Sequence, residues 1–307
     1  MKRKLIKQGG GGYTIYLPKK WVDSKGLSSG DQIDVKEIGT ALNINASIIT
    51  KKEITLELTE QNKQNLRNML THLYRRGFDR ISIKNIDDRL IERIKQITQG
   101  LLLGFEITEA DKRICTLENI SEPTEEKYAV LLKRVYLIIK ETHRILLNDF
   151  KKSKYENLKA IEDHKTNQDK FVLFCKRILT KERYEIKHPI TDWELLSLLM
   201  HIEHAYYYLY LYAAKNRVKA NKRILELIVN LGEYFQLNYD AYYKKDISSI
   251  HKINELKHKY QFGKCYEYIE QAKAKEAVVL AHIRELFRLV QIGISPILSE
   301  YFEGLLE

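Results

Sequence analysis

The first forty-four residues constrain the fold more tightly than any other part of this 307-residue chain. A basic segment, residues 2–7, leads through four consecutive glycines into the run 13–22. Polar and apolar side chains alternate from Tyr13 to Leu17 with the period of a half-buried strand. Pro18 suits the first turn of a helix, where its missing N–H donor costs little. The pattern predicts strand, loop, strand, short helix, turn, strand, turn and strand.

This leading segment is too small to form a hydrophobic core by itself. About fifty residues rich in short strands bury little apolar surface, so such domains need a further source of stability. We therefore expect two copies to interleave their strands, which makes the chain a homodimer or a higher oligomer.

Positive charge is concentrated in the same segment. Residues 1–52 contain ten Lys or Arg and four Asp or Glu, in a chain of net charge +11. The first twenty positions hold no acidic residue and six basic ones: Lys2, Arg3, Lys4, Lys7, Lys19 and Lys20. About six phosphate contacts would give a slope near −5 when log K is plotted against log salt concentration. We expect these six residues to contact the DNA backbone; the alternative is an ordinary basic surface without a nucleic-acid partner.

Residues 3–45 resemble the AbrB/MazE/SpoVT swapped-hairpin family. The resemblance rests on the basic first strand, the run 14–20, and the pairs Gly26-Leu27 and Gly30-Asp31. In that family two chains exchange hairpins to form one barrel-like DNA-binding unit. The resemblance implies such a domain over residues 1–52.

The number of cysteines and the length of the apolar runs bear on the cellular compartment in which the protein is expected. Cys115, Cys175 and Cys265 are odd in number and far apart, which argues against a disulfide framework or a thiolate metal site. The first residues do not show a basic stretch followed by an apolar one, so no secretory leader is expected, and no apolar run reaches membrane-spanning length. We expect a soluble cytoplasmic protein without membrane insertion.

Residues 53–120 are expected to form a small α+β connector domain of order βαβαββ. Alternation predicts strands at 53–58, 80–83, 104–107 and 113–117. One helix is predicted to open at Thr59 and end at Gly77, and a second to cover residues 87–100.

Residues 121–307 are predicted to be almost wholly helical and to contain a repeat, about 125–214 and 217–304. At an offset of about 89 residues, Lys133-Arg134-Val135 matches Lys222-Arg223-Ile224. We expect three helices in each repeat, with Thr142 in the apolar stripe of the first helix. The fold class is therefore multidomain α+β: a swapped-hairpin β domain, an α+β connector and tandem three-helix bundles.

Taken together, the three parts resemble archaeal phosphate-uptake regulators of the PhoU type. The resemblance includes the stretches 73–81 and 103–107 and extends over nearly the whole chain. It implies a cytoplasmic regulator of phosphate acquisition that works through DNA, a phosphate transporter or a sensor partner. Related bundles carry paired acidic metal ligands on the third helix of each repeat. The aligned positions here are Leu199, Glu203, Phe287 and Gln291, of which only Glu203 is acidic.

A metal site is not expected. The candidates are Asp163, in the polar octet 162–169, and His201, Glu203 and His204 on the third helix. Zinc needs about four converging ligands and hard cations need several oxygens. A histidine pair three residues apart is more often structural, and the octet is most simply a solvated helix face or a local break. We expect no cofactor.

Enzymatic activity is not expected either. The glycines at 9–12 are not followed by Lys and Ser or Thr at phosphate-loop spacing. The doublet Asp163-His164 lacks the further ligands or the nucleophile that hydrolysis requires.

The sequence leaves two functions open. The first is a DNA-binding transcriptional regulator whose helical half senses phosphate status through a partner. The second is a dimeric adaptor that does not bind DNA and docks on a phosphate transporter, a sensor kinase or a toxin-like protein.

Overall fold

The computed structural model describes residues 2–38, 41–46, 51–111, 113–121, 124–181 and 186–305. The protein is mixed α+β, with its strands in the N-terminal part and helices throughout the C-terminal part. It divides into two compact units, Met1–Lys51 and Lys52–Glu307, which we call unit 1 and unit 2. The α+β connector and the helical region both belong to unit 2.

Unit 1 consists of two antiparallel hairpins with a short helix between them. Strands β1 (Ile6–Lys7) and β2 (Tyr13–Thr14) pair, as do β3 (Ile33–Ile38) and β4 (Ala41–Ala46). Helix α1 (Lys19–Ser24) lies between the hairpins in sequence. This is the predicted order of elements. Strand β2 is shorter than its alternating sequence, because beyond Thr14 it has no strand neighbour among the described residues of one copy.

The connector has the predicted order βαβαββ. Its elements are β5 (Glu53–Glu57), α2 (Leu66–Arg75), β6 (Arg80–Lys84), α3 (Asp88–Leu101), β7 (Phe105–Ala110) and β8 (Ile114–Asn119). They form a sheet of order β5-β6-β8-β7, in which only β5 and β6 are parallel.

The start of α2 differs from the prediction. Thr59 and Asn62 bond each other's backbone N–H groups with their side chains, and a 3-10 turn, Lys63–Asn65, follows. This local bonding competes with helix formation, so α2 begins at Leu66 rather than at Thr59. Gly77, with φ of +82°, follows its end.

Three long helices make up the first half of the helical region: α4 (Glu125–Lys152), α5 (Leu158–Leu179) and α6 (Pro189–Asn216). The second half contains α7 (Lys222–Tyr243), α8 (Ile247–Lys259), a π-helical turn (Tyr260–Lys264), α9 (Cys265–Gln271), α10 (Lys275–Ile292) and α11 (Ile294–Glu303). Helix α11 departs from the predicted three-helix pattern. It follows Gly293 and carries Pro296 in its first turn, where a missing donor is tolerated.

A buried arginine joins the connector to the helices. Arg177 of α5 is fully buried and donates to the carbonyl oxygens of Tyr74 (3.0 Å) and Phe78 (2.6 Å). It also bonds Asp79 Oδ1 at 2.7 Å. Lys181, which follows the C-terminal end of α5, pairs with the same carboxylate, so Arg177 and Lys181 together hold the loop between α2 and β6.

Helices α4 and α7 approach closely at Gly232. A Cβ atom at this position would lie 2.3 Å from Nε2 of His143. The two residues are 89 positions apart, which is the offset of the sequence repeat. Glycine suits this position because any Cβ atom would force the half-buried imidazole of His143 to move.

Candidate functional site

All six predicted DNA-contacting cations are exposed on unit 1. Lys2, Arg3 and Lys4 precede β1, Lys7 is its second residue, and Lys19 and Lys20 begin α1. Among the residues that the structure describes, none of the six forms an ion pair. Their charges are therefore available to an anionic partner.

Short backbone contacts shape the segment that carries these cations. Ile6 pairs with Thr14 and Lys7 with Tyr13, and Gln8 N donates to Gly12 O at 2.9 Å across the glycine loop. Gly10 and Gly11 have φ of +93° and +98°, a region that glycine enters without strain. The loop thus returns the chain so that β1 and β2 lie side by side.

Unit 1 leaves large apolar side chains uncovered in a single copy. Leu5, Tyr13, Tyr16 and Leu42 are each 65–71% exposed. No residue of unit 1 whose burial is described reaches the buried class. One copy therefore has apolar surface but no core, which is unusual for a stable domain.

A buried polar cluster lies between α4, α5 and α6 in unit 2. Glu203 of α6 is fully buried, and Thr142 donates to its Oε1 at 2.6 Å. Nδ1 of His164 lies 3.0 Å from the same hydroxyl oxygen. Oε2 of Glu203 has no hydrogen-bond partner among the described residues. Burial raises the pKa of Glu203 to about 8, so the carboxyl is largely protonated at neutral pH.

Asp169 anchors a second polar group on the same helices. His204 Nε2 lies 2.7 Å from Asp169 Oδ1, and Arg67 Nη2 and Lys165 Nζ lie 3.4 and 3.7 Å from Oδ2. The polar octet 162–169 is therefore not a break in α5. Its expected role as a solvated face is also wrong in part, since Gln168 and Asp169 are buried.

The four weak metal candidates do not converge. Asp163 is exposed and pairs with Lys159 at 3.0 Å, while Glu203 and His204 bond separate partners. His201 is exposed; partial burial lowers its pKa, and the charges of His204 and Lys176 lower it further. Within the described ranges, no three His, Cys, Asp or Glu residues are grouped so that they could hold a metal ion.

Two of the positions aligned with metal ligands, Leu199 and Phe287, are core residues. Leu199 is 1% exposed, and Phe287 is fully buried against the rings of Tyr234 and Tyr260. Apolar side chains occupy the places where the resemblance implies carboxylates, so these helices pack through hydrocarbon contacts instead.

Sequence reasoning missed Thr142, His164 and Asp169 as members of buried polar groups. Thr142 has the spacing of the apolar stripe on α4, and a threonine hydroxyl on such a stripe does not by itself indicate a polar partner. The sequence did contain one signal. The polar octet 162–169 lies at the centre of a helix that was expected to face a core, which indicates polar partners on another helix.

Comparison with protein-family models, curated proteins and solved structures found no match for the chain. Across the described residues, each helix is too short or too polar to cross a membrane.

Proposed function

We propose that this protein is a DNA-binding transcriptional regulator of phosphate uptake and homeostasis. It dimerises through a swapped hairpin in unit 1, and its helical region forms PhoU-like tandem three-helix bundles that sense a signal or a partner. The observation that carries the proposal is made on the described residues of unit 1: six exposed cations have no ion-pair partner there, and no side chain of known burial is buried.

Dimerisation follows from the uncovered apolar side chains. Fully burying one such side chain contributes about 1.5–3 kcal/mol, and a single copy leaves several without this gain. A second copy of unit 1 presents the same apolar set and the same short strands. Exchange of hairpins would cover both sets at once and extend the pairing of β2.

DNA binding follows from the charges. Two copies bring twelve cations from the first twenty positions to one assembly, with no acidic residue among those positions. Contacts from Lys and Arg to phosphates release counterions, and this supplies most non-specific affinity for DNA. The link to phosphate homeostasis rests on the resemblance over nearly the whole chain.

The test is a mobility shift of genomic DNA fragments with the full chain at two salt concentrations. Changing Lys4, Lys7, Lys19 and Lys20 to Ala should remove binding and flatten the salt dependence. The matched control removes the same charge from exposed lysines of unit 2: Lys95, Lys133, Lys151 and Lys252 to Ala.

Mass measurement by light scattering accompanies the shift assay. We expect a dimer or higher oligomer for the parent and for both variants. A dimer that ignores DNA at low salt would favour the adaptor that docks on a phosphate transporter, a sensor kinase or a toxin-like protein. A monomer would remove the basis of both functions.

A further inference from the structure

Side chains from three helices of unit 2 meet at the ring of Trp193, and two of them are cationic. Lys176 Nζ of α5 lies 4.8 Å from the ring centroid, and Arg75 Cζ of α2 lies 5.8 Å from it. Trp193, Ser197 and His201 follow one another at intervals of four residues and therefore share one face of α6. The connector and the helical region thus contribute jointly to one cluster.

Lys176 is buried, and none of the described residues supplies it with a counter-ion. Its residue exposure is 2%, and its ammonium group donates to Ser197 Oγ at 2.6 Å. Ser197 in turn donates to the carbonyl oxygen of Trp193 at 2.8 Å. An ammonium group has three N–H donors, so two of them have no acceptor among the described residues. Burying a charge in this way is costly unless an anion accompanies it.

Arg75, which is half-buried, is the second cation of the cluster. Its Nη2 lies 2.9 Å from the ring nitrogens of His72, and it has no carboxylate partner in the described part of the chain. The charge of Arg75 adds to burial in lowering the pKa of Lys176 to about 8. The acidic residue whose charge reaches His201, Glu285, is already bonded to Arg288 at 2.7 and 2.8 Å.

The cluster is open to solvent at its rim. His72 and His201 are exposed, whereas Arg75, Trp193 and Ser197 are half-buried. A small ligand can therefore approach Arg75 and Ser197 from solvent, and the ammonium group of Lys176 lies directly behind Ser197, 2.6 Å from its hydroxyl oxygen.

We propose that this cluster binds a small tetrahedral oxyanion of the phosphate class. We call it the Trp193 site, and it comprises Arg75, Lys176, Trp193 and Ser197, with His72 and His201 at the rim. A planar guanidinium can donate hydrogen bonds to two oxygens of the ligand, while an ammonium group and a hydroxyl supply donors from other directions. Such a ligand gives the buried cation its missing counter-ion. The proposal goes beyond the function proposed above and does not depend on DNA binding.

The experiment is a titration of the full chain with inorganic phosphate at constant ionic strength, followed by calorimetry and tryptophan emission. Trp21 of unit 1 is the only other tryptophan, so the Trp21→Phe chain reports on Trp193 alone. We expect saturable heat and a saturable change in emission, and we expect sulfate to compete. Lys176→Met and Arg75→Gln should each weaken binding roughly tenfold or more, since each removes a charge-assisted hydrogen bond.

Three further variants make the result decisive. Lys140→Met removes a lysine that also lies over an aromatic ring, 3.7 Å from the centroid of Tyr239, and it should bind phosphate like the parent. Ser197→Ala tests the site without touching a charge, should Lys176→Met fail to fold. The Ala variant of Lys4, Lys7, Lys19 and Lys20 should titrate normally, which separates this site from the DNA surface.

The proposal is overturned if phosphate produces no saturable heat or emission change. It is equally overturned if Lys176→Met and Arg75→Gln bind phosphate as tightly as the parent, or if the unit 1 variant abolishes the signal.

Discussion

Replacing Glu203 with Gln should make the protein more stable at alkaline pH. The carboxyl is fully buried, accepts one hydrogen bond from Thr142, and leaves Oε2 without a partner among the described residues. Glutamine has nearly the same shape and cannot ionise. The variant therefore keeps the hydrogen bond with Thr142 and removes the cost of burying a negative charge.

The magnitude follows from the pKa of Glu203. Burial raises that pKa from 4.5 to about 8; the charges of Asp169 and Glu141 also raise it, and Thr142 and Lys165 oppose the shift. Between these two values the folded protein keeps a proton that the unfolded chain has lost, so the free energy of unfolding falls as pH rises. The slope approaches about 1.4 kcal/mol for each pH unit. From about pH 5 to about pH 8.5 the loss is on the order of 4 kcal/mol.

The assay is urea unfolding of the full chain, followed by circular dichroism at these two pH values. Glu203→Gln and the parent should be similar in stability near pH 5, and the variant should gain several kcal/mol near pH 8.5. Other titrating groups cancel in this difference. The matched control is Glu162→Gln, an exposed glutamate on α5, which should change stability little at either pH.

A stability difference between parent and Glu203→Gln that is the same at both pH values would refute the reasoning. So would a variant less stable than the parent near pH 8.5, since this would mean that the folded protein favours the ionised carboxylate.

Two further changes test the packing of unit 2. Arg177→Met should destabilise the protein by about 3 kcal/mol, because it removes a buried cation that bonds Asp79 and two carbonyl oxygens. Arg67→Met, a half-exposed control beside Asp169, should cost at most about 1 kcal/mol, and equal losses in urea unfolding would contradict this account. Gly232→Ala should lower the melting temperature through a clash with His143 worth about 1–3 kcal/mol. His143→Ala in the same chain should recover part of this loss; an unchanged melting temperature for Gly232→Ala alone would disprove the close approach.

Local pattern predicted the connector well. The pattern predicts that the second helix starts at Asp87, and the Asp87 side chain accepts a hydrogen bond from Leu90 N at 2.8 Å as a cap. It also predicts that the preceding helix ends at Gly77, which has φ of +82°. These signals succeed because capping and turn conformation depend on residues only a few positions apart.

Local pattern failed where two alternatives compete within a short stretch. Thr59 resembles a cap, yet its reciprocal bonds with Asn62 form a turn and delay the helix to Leu66. Near the C-terminus, the sequence suggests only scattered breakers at Gly293 and Pro296, whereas Gly293 separates α10 from α11 and Pro296 lies in the first turn of α11. In both cases the choice depends on small differences in backbone bonding that composition does not reveal.

Buried polar groups were beyond the reach of periodicity. Thr142 and Glu203 are 61 residues apart, and Arg177 and Asp79 are 98 apart. A spacing rule describes one face of one helix, so it cannot tell which polar side chain will face another across a core.

The sequence by itself determined the order of the strands and helices in unit 1 and in the connector, and the concentration of cations at the N-terminus. These properties are local, since they depend on periodicity, on turn residues and on charge counted along the chain. Only the tertiary structure decided that Glu203 would be buried between α4, α5 and α6. It also decided that Arg75 and Lys176 would meet beside Trp193 with no carboxylate from the described residues. Burial and the distance between charges set the energy of an ionisable group, and both arise only when helices distant in sequence pack together.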